Sequence, residues 1–305
     1  MEKPERGERI MQSRNLFQFA VMISLLFALG QQRNAALAAD HGDTPLLKSV
    51  GRHDARIADL FAFLRDDNLV LALTVDPTAP LDDGTPYLFA PDITLKLSID
   101  NESEVRFDDP DDLLDFGGTI TRPGKIQPRI TFTLTFDNDG NAQLKTGGLE
   151  KDAKDRIELF AGLRDDAFIR RPRTGKNIAA IVLEFPLADV LGDTPTLLIW
   201  ATAKVDDING PFQELAGRAL RSQFPENDQM NTLKPKHHFK VLGVPPDVII
   251  FDTSLPAAFP NGRELTDDVV DLVGDPRLFS SEAPTFPSTN DVPFLTTFPY
   301  LAPPH

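Results

Sequence analysis

Cysteine is absent from this 305-residue chain, and tryptophan (one), tyrosine (two) and histidine (five) are scarce. The first absence rules out a disulfide framework, so stability must come from a hydrophobic core or from bound ions. It also removes the thiol nucleophile. No G-x-S-x-G elbow, Ser-x-x-Lys, glycine-rich phosphate loop or dinucleotide fingerprint stands in its place. With so few tryptophans and tyrosines there are no aromatic platforms for sugars, which argues against glycoside cleavage by paired carboxylates. The 22 phenylalanines point to core packing instead. His41, His53, His237, His238 and His305 show no helical zinc spacing, and the adjacent His237 and His238 would face opposite sides of a strand. They read as surface histidines, which disfavours a zinc hydrolase. Basic residues are also outnumbered: 31 Lys and Arg stand against 46 Asp and Glu, with no Lys/Arg cluster. Such a chain is a poor partner for nucleic acid or for anionic lipid surfaces.

Long apolar runs are confined to the N-terminus. Lys3, Arg6, Arg9 and Arg14 precede Leu16–Leu29, and Ala36-Leu37-Ala38 then places small residues at the −3 and −1 positions of a cleavage site. Residues 1–38 are therefore expected to be a signal peptide, with an uncleaved anchor as the alternative, and the protein is expected to be periplasmic or extracellular. The mature chain, 39–305, retains 26 basic and 43 acidic residues, a net charge of −17, and no transmembrane span is expected in it.

What is present is alternation. Leu69–Val75, Ile93–Ile99, Ile130–Phe136, Ile178–Phe185 and Thr196–Val205 are strand-length runs with period two, rich in β-branched residues. Asp66-Asp67-Asn68 and Asp137–Asn141 read as hairpin tips, and the echo between Ile93–Ser103 and Ile130–Gly140 suggests two similar hairpins. Gly210–Phe224 has helical spacing, with Phe212, Leu215, Ala216, Ala219 and Leu220 on one face. Thr266 reads as an N-cap for a short helix ending at Gly274. From about residue 275 the chain is rich in Pro and Phe, an extended tail anchored by Phe294, Phe298 and Tyr300. The expected fold is mainly all-β: one antiparallel β-sandwich domain with one or two short helices in the C-terminal third. A closed barrel is its rival.

Carboxylate pairs recur at Asp66/Asp67, Asp108/Asp109, Asp111/Asp112, Asp165/Asp166 and Asp267/Asp268. Hard oxygen ligands in loops suit calcium, against a default of solvated acidic surface. Cleavage after Ala38 would instead expose Ala39-Asp40-His41, whose free amine and imidazole suit square-planar copper; the plainer reading is that His41 and Asp43 tie down the N-terminal segment.

Five segments together carry a resemblance: Asp40–Pro45 (DHGDTP), Ile57–Phe63 (IADLFAF), Glu158–Phe168 (ELFAGLRDDAF), Leu198–Ala203 (LIWATA) and Pro260–Val273 (PNGRELTDDVVDLV). In this order the chain resembles a family of exported bacterial proteins known as domain of unknown function 4331. The resemblance implies a β-rich exported protein and assigns no catalytic residue. This chain departs from the pattern at Arg170-Arg171, where similar proteins have apolar or aromatic residues.

The matched segments define a candidate polar or ion site: Arg164, Asp165 and Asp166 from one loop and Asn261, Arg263, Asp267 and Asp268 from another. His41, Asp43 and Asp59 are candidate metal ligands beside them. The other reading is a salt-bridge latch in which Arg164 and Arg263 hold the C-terminal helix to the sandwich. Two functions remain open: a binding or surface-associated module for an unknown ligand or protein partner, holding a divalent cation, or a metal-dependent hydrolase using the Asp-rich loops.

Overall fold

Runs that alternate between two apolar faces can be buried on both sides of a sheet, and here they are. A computed structural model describes residues 44–169, 173–221, 225–273 and 289–305, all within one compact unit, Ala38–His305. In chain order the elements are α1 (Pro45–Ser49), β1 (Ile57–Arg65), β2 (Asn68–Val75), β3 (Ile93–Asp100), β4 (Val105–Arg106), α2 (Pro110–Phe116), β5 (Thr119–Ile120) and β6 (Ile130–Phe136). Next come β7 (Ala142–Gly147), β8 (Glu158–Asp165), β9 (Asn177–Pro186), β10 (Thr196–Val205), β11 (Glu214–Ala216), α3 (Pro235–Leu242), β12 (Ile249–Asp252) and α4 (Val269–Val273).

Two antiparallel sheets form a sandwich. One has the order β1-β2-β9-β8; the other runs β11-β10-β3-β6-β7, with β12 also on β10. Alternate residues of β2 and β9 (Leu69, Leu71, Leu73; Ile181, Leu183, Phe185) meet Leu95, Leu97, Phe132 and Leu134 of the facing sheet. Phe132 and Phe185 stack between the sheets with ring centroids 4.7 Å apart. Each such side chain contributes roughly 1.5–3 kcal/mol on full burial. The other face of the four-stranded sheet is apolar too. Phe61, Phe63, Val70, Ala72, Ala180 and Val182 lie beneath Leu265, Tyr300 and Leu301, with Phe294 and Phe298 packed alongside. Among the described residues no helix is long and apolar enough to cross a membrane.

The repeated string LFA-x-LRDD occupies the two outer strands of this sheet, β1 and β8, 99 residues apart. All neighbours are antiparallel, so a half-turn about the sheet normal exchanges β1 with β8 and β2 with β9. The two Arg-Asp-Asp triplets consequently sit at opposite ends. Asp66 and Asp67 form a two-residue hairpin tip, with Asp66 at φ 50°. Asp165 and Asp166 open an eleven-residue connection to β9.

Several local expectations are corrected. Residues 214–216 form β11, not a helix, pairing with β10 at Ala201–Ala203. Glu214 is buried and accepts hydrogen bonds from the Thr44 and Ile57 amides at 2.8 and 3.3 Å. A Cβ at Gly217 would lie 2.4 Å from the Asp247 carbonyl oxygen, so the chain can pass there only as glycine. Apolar spacing alone therefore matched a helix that the flanking Gly210-Pro211 and Gly217 prevent. The second hairpin is also absent: β3 pairs with β6 and β10, while β4 leaves to pair with β5. Helices α1 and α2 lie outside the C-terminal third. In α2 one member of the acidic pairs is a cap: Asp109 accepts from the Asp111 and Asp112 amides ahead of Pro110 at the first turn. Helix α4 starts after Asp268, not Thr266, and Gly274 lies outside the described residues. His237 and His238 sit on α3, where one is exposed and the other buried. His238 accepts from the Asp247 amide at Nδ1 (3.0 Å), so Nε2 carries the proton toward the Leu233 carbonyl (2.9 Å). Burial holds this imidazole below its usual range.

Candidate functional site

Strand β8 ends at Asp165, opposite Asn177 at the start of β9. Both residues receive the segment 302–305. The Asp165 amide donates to the Ala302 carbonyl at 3.2 Å. The Asn177 amide accepts from the His305 backbone N–H (2.8 Å) and donates to the His305 carbonyl (3.2 Å). That carbonyl also takes the Asp82 amide at 2.7 Å. With its backbone fixed on both sides, His305 turns Nε2 to Asp165 Oδ1 (2.8 Å) and Asp291 Oδ2 (3.4 Å). Asn290 donates its side-chain amide to Asp165 Oδ2, and Asp291 is held by the Gly175 amide at 2.6 Å.

One ligand atom from each of Asp165, Asp291 and His305 falls within 4.8 Å of the other two. The Asp165 side chain has no exposed surface, whereas His305 and Asp291 keep 28 % and 22 % of theirs. Burial pushes Asp165 up to about 6; Asn290 and His305 hydrogen bonds oppose this, and the neighbouring Asp291 carboxylate adds to it. The group thus has an inner carboxylate lacking solvent and two solvent-facing partners, with one ligand atom from each in range of a common point.

No family model and no curated protein matches this chain.

Asp166 points away from this group. Arg173 donates to Asp166 Oδ2 from Nε at 2.5 Å and also from Nη2, and Nη1 reaches the Pro77 carbonyl at 2.8 Å. Asp166 Oδ1 accepts from the Phe168 amide at 3.0 Å. Burial pushes Asp166 up even though Arg173 pulls it down. Arg164 meets neither aspartate: its guanidinium lies 4.0 Å from the Phe160 ring, and burial lowers its pKa.

The second loop is built differently from the sequence expectation. Arg263 hydrogen-bonds through its backbone to Ala62, extending the sheet beside β1, and its Nη2 donates to Asp59 Oδ1 at 2.7 Å. The same guanidinium packs 4.1 Å from the Phe61 ring. Asp59 is thus bound by an arginine and not gathered with metal ligands; burial, then the nearby Asp166 carboxylate, push it well up. Asn261 closes its own loop, accepting from the Asp252 amide at 2.7 Å. Asp267 accepts from the Phe259 and Glu264 amides at 2.9 and 2.8 Å. Asp268 presents its carbonyl to Leu272 at the head of α4. The two loops do approach each other, through an apolar cluster shared by Phe168, Val269 and Val270. His41 and Asp43, the Ala39-Asp40-His41 copper arrangement and Arg170-Arg171 lie outside the described residues.

Of the residues the sequence singled out, Asp165 alone joins the Asp165–Asp291–His305 group. Asp291 and His305 were missed because they approach from 126 and 140 positions away with no local motif. Arg173 was missed because it sits in a basic loop with no helical or strand period.

Proposed function

We propose that this is an exported β-sandwich binding module related to the family known as domain of unknown function 4331, and that Asp165, Asp291 and His305 take a divalent cation. The observation that carries the reading is the solvent-free Asp165 carboxylate with an imidazole and a second carboxylate in ligand range. Two oxygens and one nitrogen favour zinc or another first-row ion over calcium, which prefers six to eight oxygens. Asp165 belongs to the sheet and the other two ligands to the segment 289–305, so an ion here fastens that segment to the sandwich. This is the service a disulfide performs in other exported proteins.

Equilibrium dialysis against zinc and manganese, followed by elemental analysis, is expected to give one ion per chain. At a free ion concentration one hundred times Kd the stabilisation is about 2.7 kcal/mol, which raises Tm by about 5–10 °C. Asp165→Asn and His305→Ala are each expected to abolish both effects. Stoichiometric binding retained in both variants would end this assignment.

The pH dependence has a definite sign. In the metal-free protein the Asp165 carboxyl, raised from 3.8 to about 6, contributes stability that is complete below pH 3.8 and lost as the pH rises through about 6. A bound cation competes with that proton, so ion affinity is expected to weaken as pH falls below about 6. Melting curves from pH 4 to 8, with and without zinc, should therefore diverge toward the alkaline end.

A further inference from the structure

A second site lies on the other sheet, and it is apolar. A cavity of about 400 Å³ is walled by Phe116, Ile120, Pro245, Pro246, Val248 and Ile250, where α2, β5 and β12 come together. Phe239 of α3 stands at its rim with 58 % of its surface exposed. The volume falls within the range of small-molecule pockets. Asp112 also reaches the wall, but its carboxylate accepts the Thr119 hydroxyl.

One charged group in this wall has no ion-pair partner among the described residues. Arg218 is fixed by its backbone N–H, which donates to Asp247 Oδ1 at 2.8 Å. Its guanidinium carbon lies 4.9 Å from the Phe116 ring and 5.3 Å from the Phe259 ring. Its Nε is fully buried and, among the described residues, has no hydrogen-bond partner. Burial and the neighbouring Arg221 lower its pKa to about 10, while Asp247 and Asp115 oppose this without forming an ion pair with it. Arg218 is half-buried, and among the described residues its guanidinium meets aromatic faces but no carboxylate, so charge-assisted hydrogen bonds that normally offset such burial are left open to a ligand.

We propose that this pocket binds a small organic carboxylate with an apolar body, its headgroup held by Arg218 and its body by the Phe116–Ile120–Val248–Ile250 wall. The planar guanidinium fork matches a carboxylate, and the proline and aliphatic lining suits an alkyl or aryl chain. None of the cation ligands lines this cavity, so the inference is independent of the metal reading.

Isothermal titration of the full chain with sodium decanoate, and with decanol as the uncharged match, tests it. Decanoate is expected to bind once per chain and at least tenfold more tightly than decanol. Arg218→Met is expected to erase that preference, while Arg218→Lys retains part of it. Ile120→Trp, which fills the cavity from the short β5 strand and leaves the guanidinium in place, is expected to abolish binding of both. Binding should persist in EDTA, which separates this site from the cation group. Equal affinity for the two probes in the wild-type protein overturns the proposal. So does undiminished decanoate binding in a folded Ile120→Trp variant, or no decanoate binding at all.

Discussion

Replacing Asp166 by alanine is expected to lower stability by about 3–5 kcal/mol, because a buried ion pair broken on one side strands the other charge. Arg173 would keep the Pro77 carbonyl but lose the carboxylate it meets through Nε and Nη2. The Phe168 amide would lose its acceptor in the same step. For a chain of this size the loss corresponds to a fall in Tm of about 6–20 °C. The intact pair is not itself a large stabiliser: burial pushes Asp166 up against the pull of Arg173, so the desolvation cost outweighs the attraction. The double variant Asp166→Leu/Arg173→Met is consequently expected to recover most of the stability lost by Asp166→Ala. Denaturant melts of both variants decide the matter; a single variant losing less than about 1 kcal/mol would contradict the stranded charge.

The second large effect is in the sandwich core. Phe132→Ala is expected to cost about 3–5 kcal/mol, the transfer term of a buried ring plus the cavity left behind. Phe132 has no exposed surface and stacks on Phe185 of the facing sheet at 4.7 Å, 27° between planes. Its removal takes away an aromatic contact between the two sheets and leaves a cavity in a close-packed core. Phe107→Ala is the control. That side chain is 39 % exposed, and its loss is expected to stay within about 0.5 kcal/mol. Comparable losses at the two positions would mean that Phe132 is not a core residue.

The strands were legible because period-two alternation is imposed by the pleat itself, and all five runs read from sequence are strands. Where the reading failed, a second local rule competed. Residues 214–216 satisfy helical spacing over too short a span, and the contact that forbids a side chain at Gly217 comes from Asp247, thirty positions on. Helix α2 carried its own signals, Asp109 before Pro110 and Gly117 after Phe116. Of its acidic pairs, Asp109 is the cap, and Asp112 accepts the Thr119 hydroxyl. At the site, Asp165 could be singled out because it lies in Glu158–Phe168, one of the segments that carry the family resemblance. Its partners could not, since nothing near Asp291 or His305 in sequence records that they meet Asp165. Asp59 and Arg263 were both noticed and assigned to different groups. Their direct pairing is a tertiary fact, set by the backbone bridge between Ala62 and Arg263.

The cover over the four-stranded sheet has a consequence for the order of events during synthesis. Phe61 and Phe63 enter the sheet on β1, yet the residues that shield them, Tyr300 and Leu301, are made more than two hundred positions later. A growing or prematurely terminated chain therefore presents one finished strand face to water with nothing to close it. The segment from Phe294 to Leu301 acts as the step that closes this face, and a chain cut before Phe294 should be sticky where one that includes it is not.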